Sequence, residues 1–316
     1  MDSNFKRIKL FFINKNVILI YILLALIIIV SLYDPKFLSK SNIQNLMQQI
    51  SVLGILSLGM NILMISGGLD LSIGMNISLS LCTITVLFSK GINLFLALLI
   101  GFFISVFCGF VNGIIIAKSN GLPFVITLGT MSIFNGIALV ITGGESYSIS
   151  GKFTYIGQGK IWIFPVSIII FFIILILTFI ILNMSKLGRL IFAIGGNEKA
   201  AYFSGIKVDR VKILLYTLNG IIVGLAALVL LSRLGSAVPA TGSGYELRTI
   251  AAVVIGGTSL FGGSGGVLGC FLGITLMGII SNALNMLNVS YFYQGTILGI
   301  IIIFAAVIST IFENKR

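Results

Sequence analysis

Ile161-Trp-Ile-Phe-Pro-Val-Ser-Ile-Ile-Ile-Phe-Phe-Ile-Ile-Leu-Ile-Leu-Thr-Phe-Ile-Ile-Leu182 contains no charged side chain. A helix needs about 20 such residues to cross the hydrocarbon core of a bilayer, and it satisfies its own backbone while showing lipid only apolar groups. Working outward, similar runs recur at 17–32, 43–66, 71–88, 94–117, 123–141, 161–182, 213–231, 249–260, 267–287 and 292–311. The fifth and eighth are short or rich in glycine. Composition agrees: 58% of the 316 residues are hydrophobic and 9% charged, where a soluble domain carries about 25% charged residues to solvate its surface. The expected fold is an all-α polytopic membrane protein with about ten transmembrane helices, residues 1–316 forming a single transmembrane domain.

Basic residues orient the chain. Lys6, Arg7, Lys9 and Lys15 precede the first run, which ends in Leu32-Tyr-Asp-Pro35 without an A-x-A-like cleavage site and so reads as an uncleaved anchor. With the N-terminus inside and ten crossings, 13 of the 20 Lys and Arg fall in the cytoplasm. Both termini are then cytoplasmic, and 1–16 and 183–212 are the main cytoplasmic segments. The net charge of +12 is mostly topological. Nucleic acid is not an expected partner, because no span-free region is large enough to form a basic domain. The absence of histidine excludes a Ser-His-Asp triad, a His-ligated zinc site and an imidazole proton relay. Cys82, Cys108 and Cys270 lie in apolar runs without CxxC spacing and read as packing residues.

The cytoplasmic segment 183–212 carries Gly195-Gly-Asn-Glu-Lys-Ala-Ala-Tyr-Phe-Ser-Gly205. Asn197 is suited to an N-cap, Glu198 to a first turn, Ala200 and Ala201 to a helix, and Gly205 to its close. So short a helix is marginal alone and needs something to pack against, either a groove on another protein or the lipid surface. No G-x-x-x-x-G-K-[ST] occurs, so ATP, if used, is bound by a partner. The outer segment 142–160 is polar and glycine-rich, a connector or a docking surface.

Polar groups at membrane depth are expensive and become candidates for function. Asp70 follows Gly67 and Gly68, which can break a helix; it either caps the next span or lies beside a pathway. On the second run, Gln44, Gln48, Ser51, Gly54, Ser57 and Asn61 share one face, which must pack on another helix or line an aqueous path. Gly256 and Gly257 open a second glycine-dense break, and a pair of interrupted segments is the pattern expected near a transport pathway. Gly109 with Gly113, Gly220 with Gly224, Gly269 with Gly273, and Gly295 with Gly299 have the spacing of close helix packing.

Taken together, Gly67-Gly-Leu-Asp-Leu-Ser-Ile-Gly74, Leu122-Pro-Phe-Val-Ile-Thr-Leu-Gly-Thr130, Ala193-Ile-Gly-Gly-Asn-Glu-Lys-Ala-Ala201 with Ser204-Gly-Ile-Lys-Val-Asp-Arg210, and Gly244-Tyr-Glu-Leu247 with Ile250-Ala-Ala-Val-Val-Ile-Gly-Gly-Thr-Ser-Leu260 resemble the ribose-type permease family of ATP-binding-cassette importers, nearly end to end. The resemblance implies a homodimer of permeases, a cytoplasmic ATPase subunit with two nucleotide-binding halves that holds ATP and Mg, and an extracytoplasmic sugar-binding protein. It implies no cofactor on this chain, no enzymatic activity of its own, and residence in the bacterial inner membrane. It makes Asn197, Glu198, Ala200, Ala201 and Gly205 the ATPase-coupling residues, and Asn61, Gly67, Gly68, Asp70, Phe124, Thr127, Gly256 and Gly257 candidates for the pathway or its helix breaks. The sequence departs from the family pattern at Arg248, where an acidic residue is common, and at Ser264, where a basic one is.

The resemblance leaves the solute open among pentoses, hexoses, other polyol-like solutes and nucleosides. An ion-coupled secondary transporter would need membrane carboxylates, of which Asp70 is nearly the only one, and a membrane enzyme would need a convergent catalytic set that these eight Asp and Glu do not form. Trp162 reads as an interfacial anchor.

Overall fold

The apolar runs fold as helices bounded by serine, proline and glycine. The structure, a computed structural model, describes residues 15–119, 121–149, 151–290, 293–297, 299–301 and 303. In chain order the helices are α1 Lys15–Tyr33, α2 Lys40–Ile65, α3 Ile73–Ser89, α4 Leu94–Ser119, α5 Pro123–Thr142, α6 Tyr155–Gln158, α7 Val166–Met184, α8 Lys186–Gly196, α9 Glu198–Phe203, α10 Val208–Leu234, α11 Tyr245–Ile255 and α12 Val267–Met286. Among the described residues, seven of these, α1, α2, α4, α5, α7, α10 and α12, are long and apolar enough to cross a membrane. Ser39 starts α2 by accepting the Asn42 N–H at 3.3 Å, and Pro123 opens α5 at a position where its missing N–H costs nothing.

Four expectations change. The sixth span begins at Val166 rather than 161, because β2 (Lys160–Ile161) and β3 (Phe164–Pro165) pair as a hairpin and Pro165 cannot continue a helix backwards from α7. The eighth, expected over 249–260, is α11, whose 11 residues rise about 16 Å, roughly half the hydrocarbon thickness. The seventh starts at Val208, five residues before the expected 213, which shortens the connecting segment. Within that segment an additional amphipathic helix, α8, buries Gly188, Ile191 and Ile194. Residues 1–14 and most of the tenth run, 292–311, lie outside the described residues; 293–297 and 299–301 are helical.

α2 is the central helix, flanked by α7, α10, α11 and α12, and it is buried from Ile50 to Ile65. Over the buried part of the helix its polar face packs: a β-carbon at Gly54 would overlap the Phe171 ring, and Ser51 and Ser57 are fully buried, while Gln44 and Gln48 nearer the start are half-buried. The α4–α10 seam is built from four of the spaced glycines, Gly224 meeting the Phe102 ring of α4. A β-carbon at Gly109 would lie 2.8 Å from the Gly220 Cα, one at Gly113 2.9 Å from the Ile213 Cα, and one at Gly220 2.8 Å from the Ser105 carbonyl oxygen. Lipid offers no hydrophobic force to press helices together, so such backbone contact supplies the dispersion energy that does. Gly269 and Gly273 join α12 to α11 in the same way, whereas β-carbons at Gly295 and Gly299 would meet no described atom.

The connections sort to two ends. At one, β1 (Tyr147–Ser148) pairs antiparallel with β4 (Ser236–Ala237), Lys160 Nζ donates to Gln44 Oε1 at 2.6 Å, and Lys152 lies 5.1 Å over the Phe88 ring. At the other meet the C-terminus of α2, the end of α8 and the glycine-rich segment after α11.

Candidate functional site

The turn from α2 into α3 is closed by backbone geometry first. Gly67 (φ +79) and Gly68 complete a Schellman cap: the Gly68 N–H donates to the Leu63 carbonyl at 2.9 Å and the Gly67 N–H to that of Met64 at 3.0 Å. Gly257 (φ +87) ends α11 with the same pair of bonds, from Thr258 to Val253 and from Gly257 to Val254. The two glycine breaks noted in the sequence are thus one motif used twice, and Thr258 Oγ1 links them by donating to Asn61 Oδ1 on α2 at 2.7 Å.

Past the first cap, the chain from Leu69 to Ser72 is held by side chains from three helices. Tyr216 on α10 brackets Leu69, accepting its N–H at 3.2 Å and donating to its carbonyl at 3.0 Å, while Thr127 on α5 accepts the Leu71 N–H at 3.1 Å. Asp70, 1% exposed, accepts the Ser72 N–H at 2.9 Å, the Ser72 hydroxyl at 2.6 Å and Asn219 Nδ2 at 2.9 Å. Asn112 Nδ2 completes the set by donating to Ser72 Oγ at 2.8 Å. Asp70 therefore sits inside a closed network of neutral donors. It serves as the hub that orders the turn ahead of α3, whose N-cap is Ser72.

The third element is α8–α9. Asn197 ends α8 and caps α9, its Oδ1 accepting the Ala200 N–H at 3.0 Å. Gly205 (φ +85) closes α9 with the Schellman bonds from Gly205 to Tyr202 and from Ile206 to Ala201. Glu198 Oε1 takes Lys212 Nζ at 2.6 Å, the one ion pair among the described residues, and so ties α9 to α10. Tyr202 and Phe203, 66% and 84% exposed, stack edge to face and project from the helix, with Ala200 exposed beside them. Ala201 is buried against the protein itself, so it belongs to the seat of α9 rather than to its outward surface.

α8 brings this outward helix onto the α2 cap and the glycine-rich loop that follows the α11 cap. Gly195 lies so close to the Ile65 carbonyl that a β-carbon there would overlap its oxygen, and that same oxygen accepts the Gly263 N–H at 2.9 Å. A β-carbon at Gly262 would lie 2.8 Å from the Gly195 oxygen and 2.9 Å from the Gly67 Cα. Gly67, Gly195, Gly262 and Gly263 thus form a junction of bare backbone between the end of α2, the end of α8 and the segment after α11.

Of the residues singled out from sequence, Asn61, Gly67, Gly68, Asp70, Thr127, Gly256 and Gly257 gather around this junction and the adjoining turn. Phe124 does not: it is half exposed on the first turn of α5. Gly256 packs on α12, with 2.8 Å between its β-carbon position and the Cys270 Cα. Sequence reasoning missed Ser72, Asn112, Tyr216, Asn219 and the junction role of Gly195, Gly262 and Gly263. The buried asparagines on apolar helices α4 and α10 were the available signal.

A family model described as branched-chain amino acid transport system / permease component matches residues 42–306. The ribose import permease protein RbsC of Bacillus subtilis is 42% identical over 90% of this chain and 90% of that protein. The chain belongs to the ribose-type permease family. RbsC of Haemophilus influenzae is 36% identical over 99% of this permease and 98% of its relative, and the D-allose transport system permease protein AlsC of Escherichia coli is 35% identical over 93% and 91%. No solved structure matches the permease. With these relatives, all named as transport permeases, and seven candidate spans among the described residues, the permease is a multi-pass protein of the bacterial inner membrane.

Proposed function

We propose that this chain is the membrane subunit of an ATP-binding-cassette importer and forms the path for a monosaccharide, ribose or a related sugar, as a single permease domain. The observation that carries the reading is the capped helix α9, which presents Tyr202 and Phe203 outward and, through Gly195 of α8, rests on the glycine-capped end of α2 and the glycine-rich loop after α11. The names of the ribose and allose relatives support the solute class. In this reading α9 enters a cleft on a cytoplasmic ATPase with two nucleotide-binding halves, which holds ATP and Mg. Two copies of the permease then rock to open the path at their interface, and an extracytoplasmic binding protein delivers the sugar. Asn197, Glu198, Ala200 and Gly205 shape the docking helix, and Ala201 seats it.

We count ten crossings: the seven long helices, α3, the segment 236–263 that contains the half-length α11, and the run at 292–311. Both termini are cytoplasmic. The cluster of Lys186, Arg189, Lys199, Lys207, Arg210 and Lys212 around α8 and α9 supports that sidedness. The test is uptake by vesicles holding the permease, its ATPase and its binding protein. Gly205→Trp should insert normally and hydrolysis should continue while uptake is lost; normal uptake by the inserted variant would remove α9 from the coupling path.

A further inference from the structure

At the end of the bundle away from α9, between α6 and α7, the chain makes the hairpin β2–β3, in which Lys160 pairs with Pro165 and Ile161 with Phe164. Its two-residue tip, Trp162-Ile163, has a positive φ, +62, at the first position only. That is the pattern of a type II′ turn, whose first position glycine normally fills. The tryptophan that stands there is 94% exposed, and Ile161, Ile163 and Phe164 are exposed beside it. Trp162 therefore does not end a span: it belongs to a run of apolar side chains, 161–164, that carries no charge and that the described residues leave uncovered.

The hairpin is fixed at its base. The Gly157 N–H donates to Ser232 Oγ at 2.7 Å and Gln158 Nε2 to the Arg233 carbonyl at 2.9 Å, which seats α6 on the end of α10. The Val166 N–H donates to the Gly159 carbonyl at 2.9 Å, and Lys160 ties the base to Gln44 of α2. Its height in the bilayer follows from α7. The 19 residues of that helix rise about 28 Å, close to the roughly 30 Å of the hydrocarbon core, so Val166 stands at the edge of the core. The tip reaches two residues beyond the Lys160–Pro165 pair, about 7 Å of strand, and the headgroup layer is about 5–7 Å deep on each side. Whichever way the hairpin leans, its tip stays close to that layer. The exposed face of α7, with Phe172, Ile173 and Ile176, continues the apolar surface from there into the core.

We propose that residues 161–164 are an interfacial anchor, seated among the lipid headgroups of the leaflet opposite α9 and bonded through the hairpin base to the end of α10 and the start of α2. Water would leave the apolar patch uncovered, and hydrocarbon would leave the polar backbone of the turn without partners. The headgroup layer meets both needs: it covers the apolar side chains and offers oxygens and water to the turn and to the indole N–H. Lipid is favoured over an external protein because the tip has no side-chain polar group except that N–H, and because its surface runs on into the exposed apolar face of α7. The inference uses the membrane placement of the chain and is independent of its solute.

Trp162 is the single tryptophan of the chain, so the unmodified permease reports on its own tip. The full-length protein is reconstituted into phosphatidylcholine vesicles whose lipids carry bromine either high on the acyl chains, near the headgroups, or near the chain ends. The fluorescence should be quenched several-fold more by the high bromine than by the deep one, and acrylamide in the water should quench it several-fold less than it quenches free N-acetyltryptophanamide. A second form, Trp162→Asn with Ile163→Trp, moves the reporter one residue along the tip and keeps a residue that tolerates a positive φ at the turn. It should be quenched in the same order, because the whole tip is seated; if it does not fold, the wild-type measurement still decides. Quenching by acrylamide at the level of the free amide, with none by bromine, would put the tip in water. Quenching by neither would bury it against another protein, a second permease copy included. A signal that changes only when the external binding protein is added would make it a protein-docking surface, and strongest quenching by the deep bromine would put it in the hydrocarbon. Each of these four results would overturn the proposal.

Discussion

Gly195→Ala adds one methyl group where the end of α8 crosses the end of α2. That methyl would overlap the Ile65 carbonyl oxygen and lie 2.6 Å from the Gly263 nitrogen, where ordinary contact begins at 3.4 Å. Both neighbours are backbone, so no side chain can swing aside. The helix ends must separate, and the 2.9 Å hydrogen bond from Gly263 to Ile65 is lost with them. Overpacking costs about 1–3 kcal/mol and an unmade buried hydrogen bond about 1–3 kcal/mol, so the junction loses roughly 2–6 kcal/mol. If α9 drives the caps through this contact, a 2 kcal/mol loss corresponds to about a 30-fold fall in coupled uptake, since each 1.4 kcal/mol is tenfold. The control is Gly196→Ala, one residue on in the same helix, whose added methyl would meet nothing within 4 Å. Both variants are assayed in proteoliposomes with the partner ATPase and binding protein for uptake and ATP hydrolysis, and alone for thermal unfolding. Gly195→Ala should unfold several degrees lower and uncouple hydrolysis from uptake, and Gly196→Ala should match the wild type. Equal uptake and equal stability of the two variants would refute the junction as a transmitting contact.

Three further outcomes are expected. Asn197→Ala removes the Ala200 cap and should cost about 1 kcal/mol of α9 stability, weakening ATPase binding several-fold in a pull-down titration while the spans stay folded. Tyr216→Phe strips both bonds from Leu69 inside the bundle and should lower the thermal midpoint by the equivalent of about 1–3 kcal/mol, with faster amide exchange at residues 69–72. Gly109→Val forces the α4–α10 seam apart at the Gly220 Cα and should yield aggregated or degraded protein, whereas Gly129→Val, on the open face of α5, should purify at wild-type levels.

Much of the chain is legible one residue at a time. Asn197, Glu198 and Gly205 predict α9 because a cap, a first-turn acid and a left-handed closing glycine act locally, and the helix runs as those signals say. The glycine breaks at Gly67 and Gly257 are visible for the same reason. The start of α7 lies later than the hydropathy predicts because residues 161–165 of the β2–β3 hairpin are apolar like the span they precede, and hydropathy cannot separate a hairpin from a helix turn. Ala201, named among the ATPase-coupling residues, is buried against the protein, since a six-residue helix shows too little periodicity to tell its two faces apart.

The sequence by itself determined that the chain lives in lipid, that its helices end where glycines permit, and that its chemistry holds no histidine and no phosphate loop, because composition and caps are local properties. Only the tertiary structure decided that Asp70 is the hub of a turn closed by Ser72 and Asn219, and that Gly195 touches the end of α2 and the loop after α11 at once. Those pairings join residues up to 149 positions apart. They are set by which helix faces which, through backbone contacts between glycines, and that arrangement leaves no periodic trace along the chain.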